Sequence, residues 1–296
     1  MRRILVPLDS SDLSTSILDD ALRLAGPDGT LILLYEAKRT MGRAASAYVP
    51  ELDLGPGKQH LEGLAEGLRS RGASVITLAR STFDVSAAID EVAGVSDVDM
   101  IACATHSRGV IGTLLRGSVA WKVLSQSPVP VLLRHPITHS DWPAGKPEQR
   151  RILVPLDGSN LAEKALPLAQ ELATEWQAPI DLLLVMPEAH SDLSLLAPEN
   201  YLECIGGTLG GKVKWHILPG NPVDIAAAFV YGAGITDIVM TSHGRTGLSR
   251  VFLGSVAYEI IRRVPLPVIV VPALFVRETA QHDDGVWHET ATVPTP

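Results

Sequence analysis

The chain has 296 residues, 46% of them hydrophobic and 20% charged, which is ordinary globular composition with room for two domains that each bury a core. Twenty-five basic residues against 33 acidic ones leave a formal charge of −8, which argues against a general nucleic-acid binder, since that function needs a basic face. Two cysteines, Cys103 and Cys204, are too few for a disulfide framework and lack metal-ligand spacing; Cys103 reads as a small buried hydrophobe.

From the N-terminus, residues 4–8 form a short apolar run broken by Pro7, too short for a secretory h-region, and no stretch approaches the ~20 apolar residues of a membrane span. The expectation is a soluble, cytoplasmic protein with no membrane partner. The run reads as a buried parallel strand. An amphipathic helix follows on Leu13, Ile17, Ala21, Leu24 and Ala25, with Ser11 as N-cap. The next strand is expected at 31–34, a helix at 59–69, a strand at 74–78, a helix at 86–93 and a strand at 99–104. A helix opening at Gly117-Ser118 and a Pro-x-Pro strand at 128–133 close the unit.

The same order then returns. Arg3-Ile4-Leu5-Val6-Pro7-Leu8-Asp9 reappears as Arg151-Ile152-Leu153-Val154-Pro155-Leu156-Asp157, with Ser159 as the second N-cap. His106, Arg108 and Gly117-Ser118-Val119-Ala120 reappear as His243, Arg245 and Gly254-Ser255-Val256-Ala257, and the first Pro-x-Pro strand as residues 265–271. The spacing between matching blocks shortens along the chain, so the first copy carries about eleven extra residues in its middle. In the second copy the helix on Leu161, Ala165, Leu168, Ala169 and Leu172 contains Pro167, which should bend it. Strands are expected at 180–185, 213–218 and 237–241, and a helix at 222–231. The spacing opposes Gly220-Asn221-Pro222 to Ser81-Thr82-Phe83, so the first copy should lack that turn. Domains of residues 1–136 and 150–273 are expected, with a linker at 137–149 and a disordered tail at 274–296.

Alternating strands and helices imply a parallel sheet with helices on both faces, and ligands in such sheets sit beyond the C-terminal strand ends. Asp9 and Asp157 stand at those ends, although either could merely cap the next helix. In the second copy Thr241, His243, Gly244, Arg245, Gly247, Gly254, Ser255 and Val256 join a strand to a helix. The glycines permit close backbone approach and positive φ, and the helix start favours an anion such as phosphate. His106 and His243 order the loop more plausibly than they bind metal, because neither has a second ligand beside it. Gly206-Gly207-Thr208-Leu209-Gly210-Gly211-Lys212 mimics a P-loop, but it ends in Val213 and precedes its strand. No catalytic constellation is present in the sequence, so a non-enzyme, or at most a weak ATPase, is expected.

These residues resemble the universal stress protein signature, Gly-x2-Gly-x9-Gly-Ser/Thr, in a unit that opens with Pro-x-Asp and closes with Pro-x-Pro, and the match runs nearly the whole chain, twice. The resemblance implies two Rossmann-like, adenine nucleotide alpha hydrolase-like α/β domains, each a five-stranded parallel sheet. They would join through their last strands as an intramolecular pseudo-dimer, with further homodimerisation left open. It implies ATP or another adenine nucleotide, with or without Mg²⁺, in a regulatory stress-response role. Gly244, Gly254 and Ser255 would face the phosphates, with Asp157 and Val185 toward the adenosine and Pro155 in the same site. The first copy offers Pro7, Asp9, His106, Ser107, Arg108, Gly117 and Ser118. Departures from the signature stand at Thr241, Ala104 and Ser107, which makes the second copy the stronger site. Two rival functions stay open: an interaction module without nucleotide, and a slow ATP hydrolase.

Overall fold

The computed structural model describes residues 2–9, 11–39, 53–105, 119–135, 150–186, 197–242, 254–273 and 275. The first half runs β1 (Arg3–Leu8), α1 (Asp12–Thr15), α2 (Leu18–Ala25), β2 (Thr30–Lys38), α3 (Gly55–Arg69), β3 (Ser74–Thr82), α4 (Val85–Val95), β4 (Met100–Ala104), α5 (Val119–Gln126) and β5 (Val131–Arg134). The second half repeats it with β6 (Ile152–Leu156), α6 (Asn160–Glu163), α7 (Leu166–Trp176), β7 (Ile180–Met186), α8 (Pro198–Thr208), β8 (Val213–Pro219), α9 (Pro222–Ala233), β9 (Asp237–Thr241), α10 (Ser255–Arg263) and β10 (Val268–Val271). The expected linker and tail fall outside the described residues, apart from Phe275.

All ten strands form one sheet in the order β3-β2-β1-β4-β5-β10-β9-β6-β7-β8. Within each half the strands are parallel. At the centre β5 and β10 pair antiparallel, Val268 with Leu133 and Val270 with Val131. The expectation that the two closing strands meet is thus realised as direct pairing. Each strand covers the open edge of the other, which would otherwise invite association with foreign chains. Pro128, Pro130, Pro265 and Pro267 all stand ahead of these strands, where a missing N–H breaks no ladder bond.

Side-chain alternation divides the core between the two faces of the sheet. Ile4, Val6 and Leu8 pack on one face with Leu24, Leu61, Leu168, Leu172 and Leu202, under α2, α3, α7 and α8. Leu5 packs on the other with Ile89, Val123, Val230 and Ile260, under α4, α5, α9 and α10. Cys103 is 5% exposed and belongs to this second layer, as its apolar setting suggests.

Polar contacts also join the halves. Arg2 donates through Nη2 to Glu171 at 2.9 Å. Arg23 on α2 forks onto Asp237 at the start of β9, at 2.9 and 3.2 Å. The Arg23 guanidinium also lies 6.0 Å from the centroid of the Trp176 ring on α7.

Several local expectations are corrected. The helix carrying Pro167 is split into α6 and α7, so Pro167 sits in the first turn of α7 rather than its interior. A missing N–H costs nothing there. The first copy has the same split at residues 16–17 without a proline. The equivalence of residues 81–83 with 220–222 also fails: Asp84 caps α4 through Ser86 and Ala87, as Asn221 caps α9 through Val223 and Asp224. What differs is Gly220 (φ +131°), where an added Cβ would meet Ile225 at 3.0 Å. β2 and β3 run longer than their apolar stretches, and β2 continues through Tyr35 and Glu36. The P-loop look-alike falls at the end of α8 and the approach to β8, so it does not open a helix.

Candidate functional site

In each half the strand order turns back at the first strand, between β1 and β4 and between β6 and β9. Diverging connections leave a crevice at such a point. A cavity of about 260 Å³ occupies the second-half crevice. Seven sequence-selected residues line it: Pro155, Asp157, Val185, Thr241, Gly254, Ser255 and Val256. His243, Gly244, Arg245 and Gly247 lie outside the described residues. Its apolar walls include Pro222, from the turn noted in the sequence, and three residues that the motif reading did not single out, Leu183, Met240 and Ala226. Their strand and helix spacing marked them only as core.

Each polar group there has a traceable local cause. Asp157 Oδ1 accepts from the backbone N–H of Ser159 at 3.0 Å and from its hydroxyl at 2.6 Å. Ser159 Oγ in turn accepts from Ala162 N at 3.2 Å, capping α6. Asp157 therefore steadies the cap rather than capping directly, and it still reaches the cavity wall. Asp9 plays the same part with Ser11, whose Oγ accepts from Ser14 N.

α10 opens into this cavity. Its N-cap is Gly254, which brings no side-chain hydrogen bond to the first turn. Gly254 donates its N–H to the carbonyl of Ser242 at 2.8 Å, tying the helix start to the end of β9. Its φ of −59° corrects the expectation of positive φ; the benefit of glycine here is the absence of a capping or blocking side chain. The first turn of α10, with the positive end of its macrodipole, borders the cavity through Gly254, Ser255 and Val256.

The first half holds the matching cavity, about 310 Å³, lined by Pro7, Leu8, Asp9, Ser14, Leu34, Glu36, Val85, Ile89, Cys103, Ala104, Val119 and Ala120. His106, Ser107, Arg108, Gly117 and Ser118 lie outside the described residues. Strand register equates the walls: Pro7 faces Leu34 as Pro155 faces Leu183, so Glu36 stands where the second half has Val185. Sequence reasoning missed Glu36, because a charged residue ends an apolar run and the strand was expected to stop at Leu34. Burial pushes its carboxyl above the usual range, Arg80 draws it back and Glu91 adds to the rise. Burial also drives the nearby Asp90 up to about 7, with help from Asp84, and the Cys103 thiol up to about 12. Such a thiol is inert as a nucleophile.

Among the described residues no group of three or more His, Cys, Asp or Glu could hold a metal ion, and no helix is long and apolar enough to cross a membrane.

Duplicated five-strand units, each with a crevice at its strand reversal, define a Rossmann-like α/β protein of the adenine nucleotide alpha hydrolase-like type. The model of the Universal stress protein family matches residues 1–135, 148–203 and 207–272. The chain belongs to this family and carries its unit in tandem. Universal stress protein MJ0531 of Methanocaldococcus jannaschii is 29% identical over 157 residues, covering 47% of this chain and 91% of that protein. Universal stress protein YxiE of Bacillus subtilis is 28% identical over 144 residues, covering 41% and 97%. A universal stress protein structure from Archaeoglobus fulgidus shares the fold with a TM-score of 0.65 at 23% identity, covering 91% of this chain and 95% of that one.

Proposed function

We propose that the second cavity binds ATP or another adenine nucleotide, with or without Mg²⁺, and that the chain is a regulatory stress-response protein rather than an efficient catalyst. The observation that carries this reading is the start of α10 in the cavity wall, where the N-cap Gly254 brings no capping side chain. A helix start of this kind is a ready anion site. Leu183, Val185, Ala226 and Met240 offer apolar walls for a flat base, and Ser255 adds a hydroxyl at the phosphate end. His243, Gly244, Arg245 and Gly247 are assigned to the phosphates by their place in the motif, and Asp157 to the sugar side or to Mg²⁺. The two functional units are taken as residues 1–136 and 150–273.

The test is titration of nucleotide-free protein with ATP, alongside Val256→Glu. Val256 is 38% exposed in the first turn of α10. An acid there suits the helix dipole and leaves the fold intact, yet repels phosphate. Saturable ATP uptake weakened tenfold or more by Val256→Glu, with unchanged unfolding, is the expected result. Uptake that is absent from the wild type, or indifferent to the substitution, overturns the reading in favour of an interaction module.

A further inference from the structure

The pairing of β5 with β10 does not by itself tell the two halves apart. The repeat equates Val131, Leu132 and Leu133 with Val268, Ile269 and Val270, and the register joins Val131 to Val270, Leu132 to Ile269 and Leu133 to Val268. Exchanging the halves reproduces the same ladder, and the side chains along it are all aliphatic and buried. A self-complementary edge of this kind accepts a second copy of its own half as readily as the opposite half. Whatever selects the partner lies beside the strands.

There, two charged contacts cross the seam at equivalent places with opposite polarity. The repeat that sets Arg3 over Arg151 also sets Arg2 over Arg150, and it sets α2 over α7 so that Arg23 matches Glu171. Register sets Met100 over Asp237. On one side the helix brings the cation: Arg23 reaches the fully buried side chain of Asp237 at 2.9 Å, with Arg150 close enough to feel both charges. On the other side the helix brings the acid. Glu171 accepts from Arg2 at 2.9 Å, and Glu175 of the same helix meets Arg2 at 2.5 Å. Pairing of like halves loses both contacts. Two first halves would set each Arg23 against Met100 and Arg2 of the other copy, cation on cation. Two second halves would set each Glu171 against the dry carboxylate of Asp237, with Arg150 shared between them.

We propose that this seam is a recognition surface for the opposite half alone, with charge admitting a first half against a second and rejecting either half against itself. Like charges placed face to face exclude wrong partners from an interface whose backbone and apolar parts would accept them. The chain therefore closes on itself, and a first half does not recruit the first half of a second copy. Every closed chain then carries one cavity of each kind, side by side.

Arg23→Glu combined with Glu171→Arg exchanges the code in the full chain and keeps its formal charge of −8. Closure within one chain then sets acid on Asp237 and cation on Arg2, whereas each half becomes complementary to its own kind. Sedimentation velocity at micromolar concentration should show a mass at least twice that of wild type. Adding Asp237→Lys and Arg2→Glu makes opposite halves complementary again and should return the wild-type mass; the lysine enters a frame that holds Met100 in the other half. Should the exchanged pair not fold cooperatively, single variants decide. In urea, Glu171→Arg should have an unfolding constant about tenfold above that of Glu171→Ala, because the new cation meets Arg2. Three results would overturn the proposal and leave the seam as stabilising ion pairs: a folded double variant of wild-type mass, a larger mass that the compensating pair leaves unchanged, or reversal at residue 171 no worse than truncation.

Discussion

Removing the Arg23 guanidinium tests whether the two halves are held by charge as well as by shared strands. Asp237 has a fully buried side chain. It accepts from Arg23 Nη2 at 2.9 Å and Nη1 at 3.2 Å, and from Thr236 Oγ1 at 2.7 Å. Truncating one partner of such a pair leaves an uncompensated buried charge, typically at a cost of about 3–5 kcal/mol. Here Arg150 is near enough to Asp237 for their charges to interact, and it supplies partial compensation. The expected loss for Arg23→Ala is therefore at the lower end, about 3 kcal/mol, or roughly 6–12 °C in melting temperature. Equilibrium urea unfolding at pH 7 measures it. Register places Met100 in the first half where Asp237 stands in the second. That frame accommodates an apolar residue, so Arg23→Met combined with Asp237→Met should recover most of the loss. A single-variant loss below about 1 kcal/mol would refute the reasoning, since a pair this dry cannot be broken so cheaply.

Two further outcomes concern pH. Asp90 has its pKa raised to about 7 in the fold by burial and by Asp84. Its contribution is therefore fully present below about pH 4 and is lost as pH rises through 7. The rise amounts to about 4 kcal/mol for a dry site, and solvent reaching a half-buried carboxyl reduces that to about 1–2 kcal/mol. Asp90→Asn should exceed wild type by this amount at pH 8 and equal it near pH 4 in urea unfolding. Asp181 behaves oppositely: burial alone would raise its pKa, but hydrogen bonds from Arg151 and His216 (2.8 Å each) hold it below the usual range. Its stabilisation is present above the unfolded pKa and is lost as pH falls through the folded one. Asp181→Asn should cost about 1–3 kcal/mol at pH 7, with the deficit shrinking below pH 4; acid titration of the melting temperature checks it.

Apolar periodicity and repetition make the chain order of strands and helices legible in the sequence. Short bounded runs at residues 4–8 and 152–156 are buried strands because only a two-sided core tolerates them. Gly254-Ser255 marked a helix start because a residue without a side chain leaves the first N–H groups open, and that helix does open into a cavity. The walls of the cavity were less visible. Ala226 and Met240 look like any core residues, and only the strand reversal turns their faces toward one crevice.

The duplicated sequence on its own determined that the unit occurs twice, that each copy alternates strand and helix, and that Asp157 and Ser255 lie beyond strand ends. Tertiary structure alone decided that β5 and β10 fuse two sheets into one, because pairing between edges 130 residues or more apart leaves no local trace. It also decided the chemistry of Glu36. A glutamate after an apolar run reads as the solvated end of a strand; partner strands on both sides and a helix above it make it a dry acceptor in the wall of a cavity.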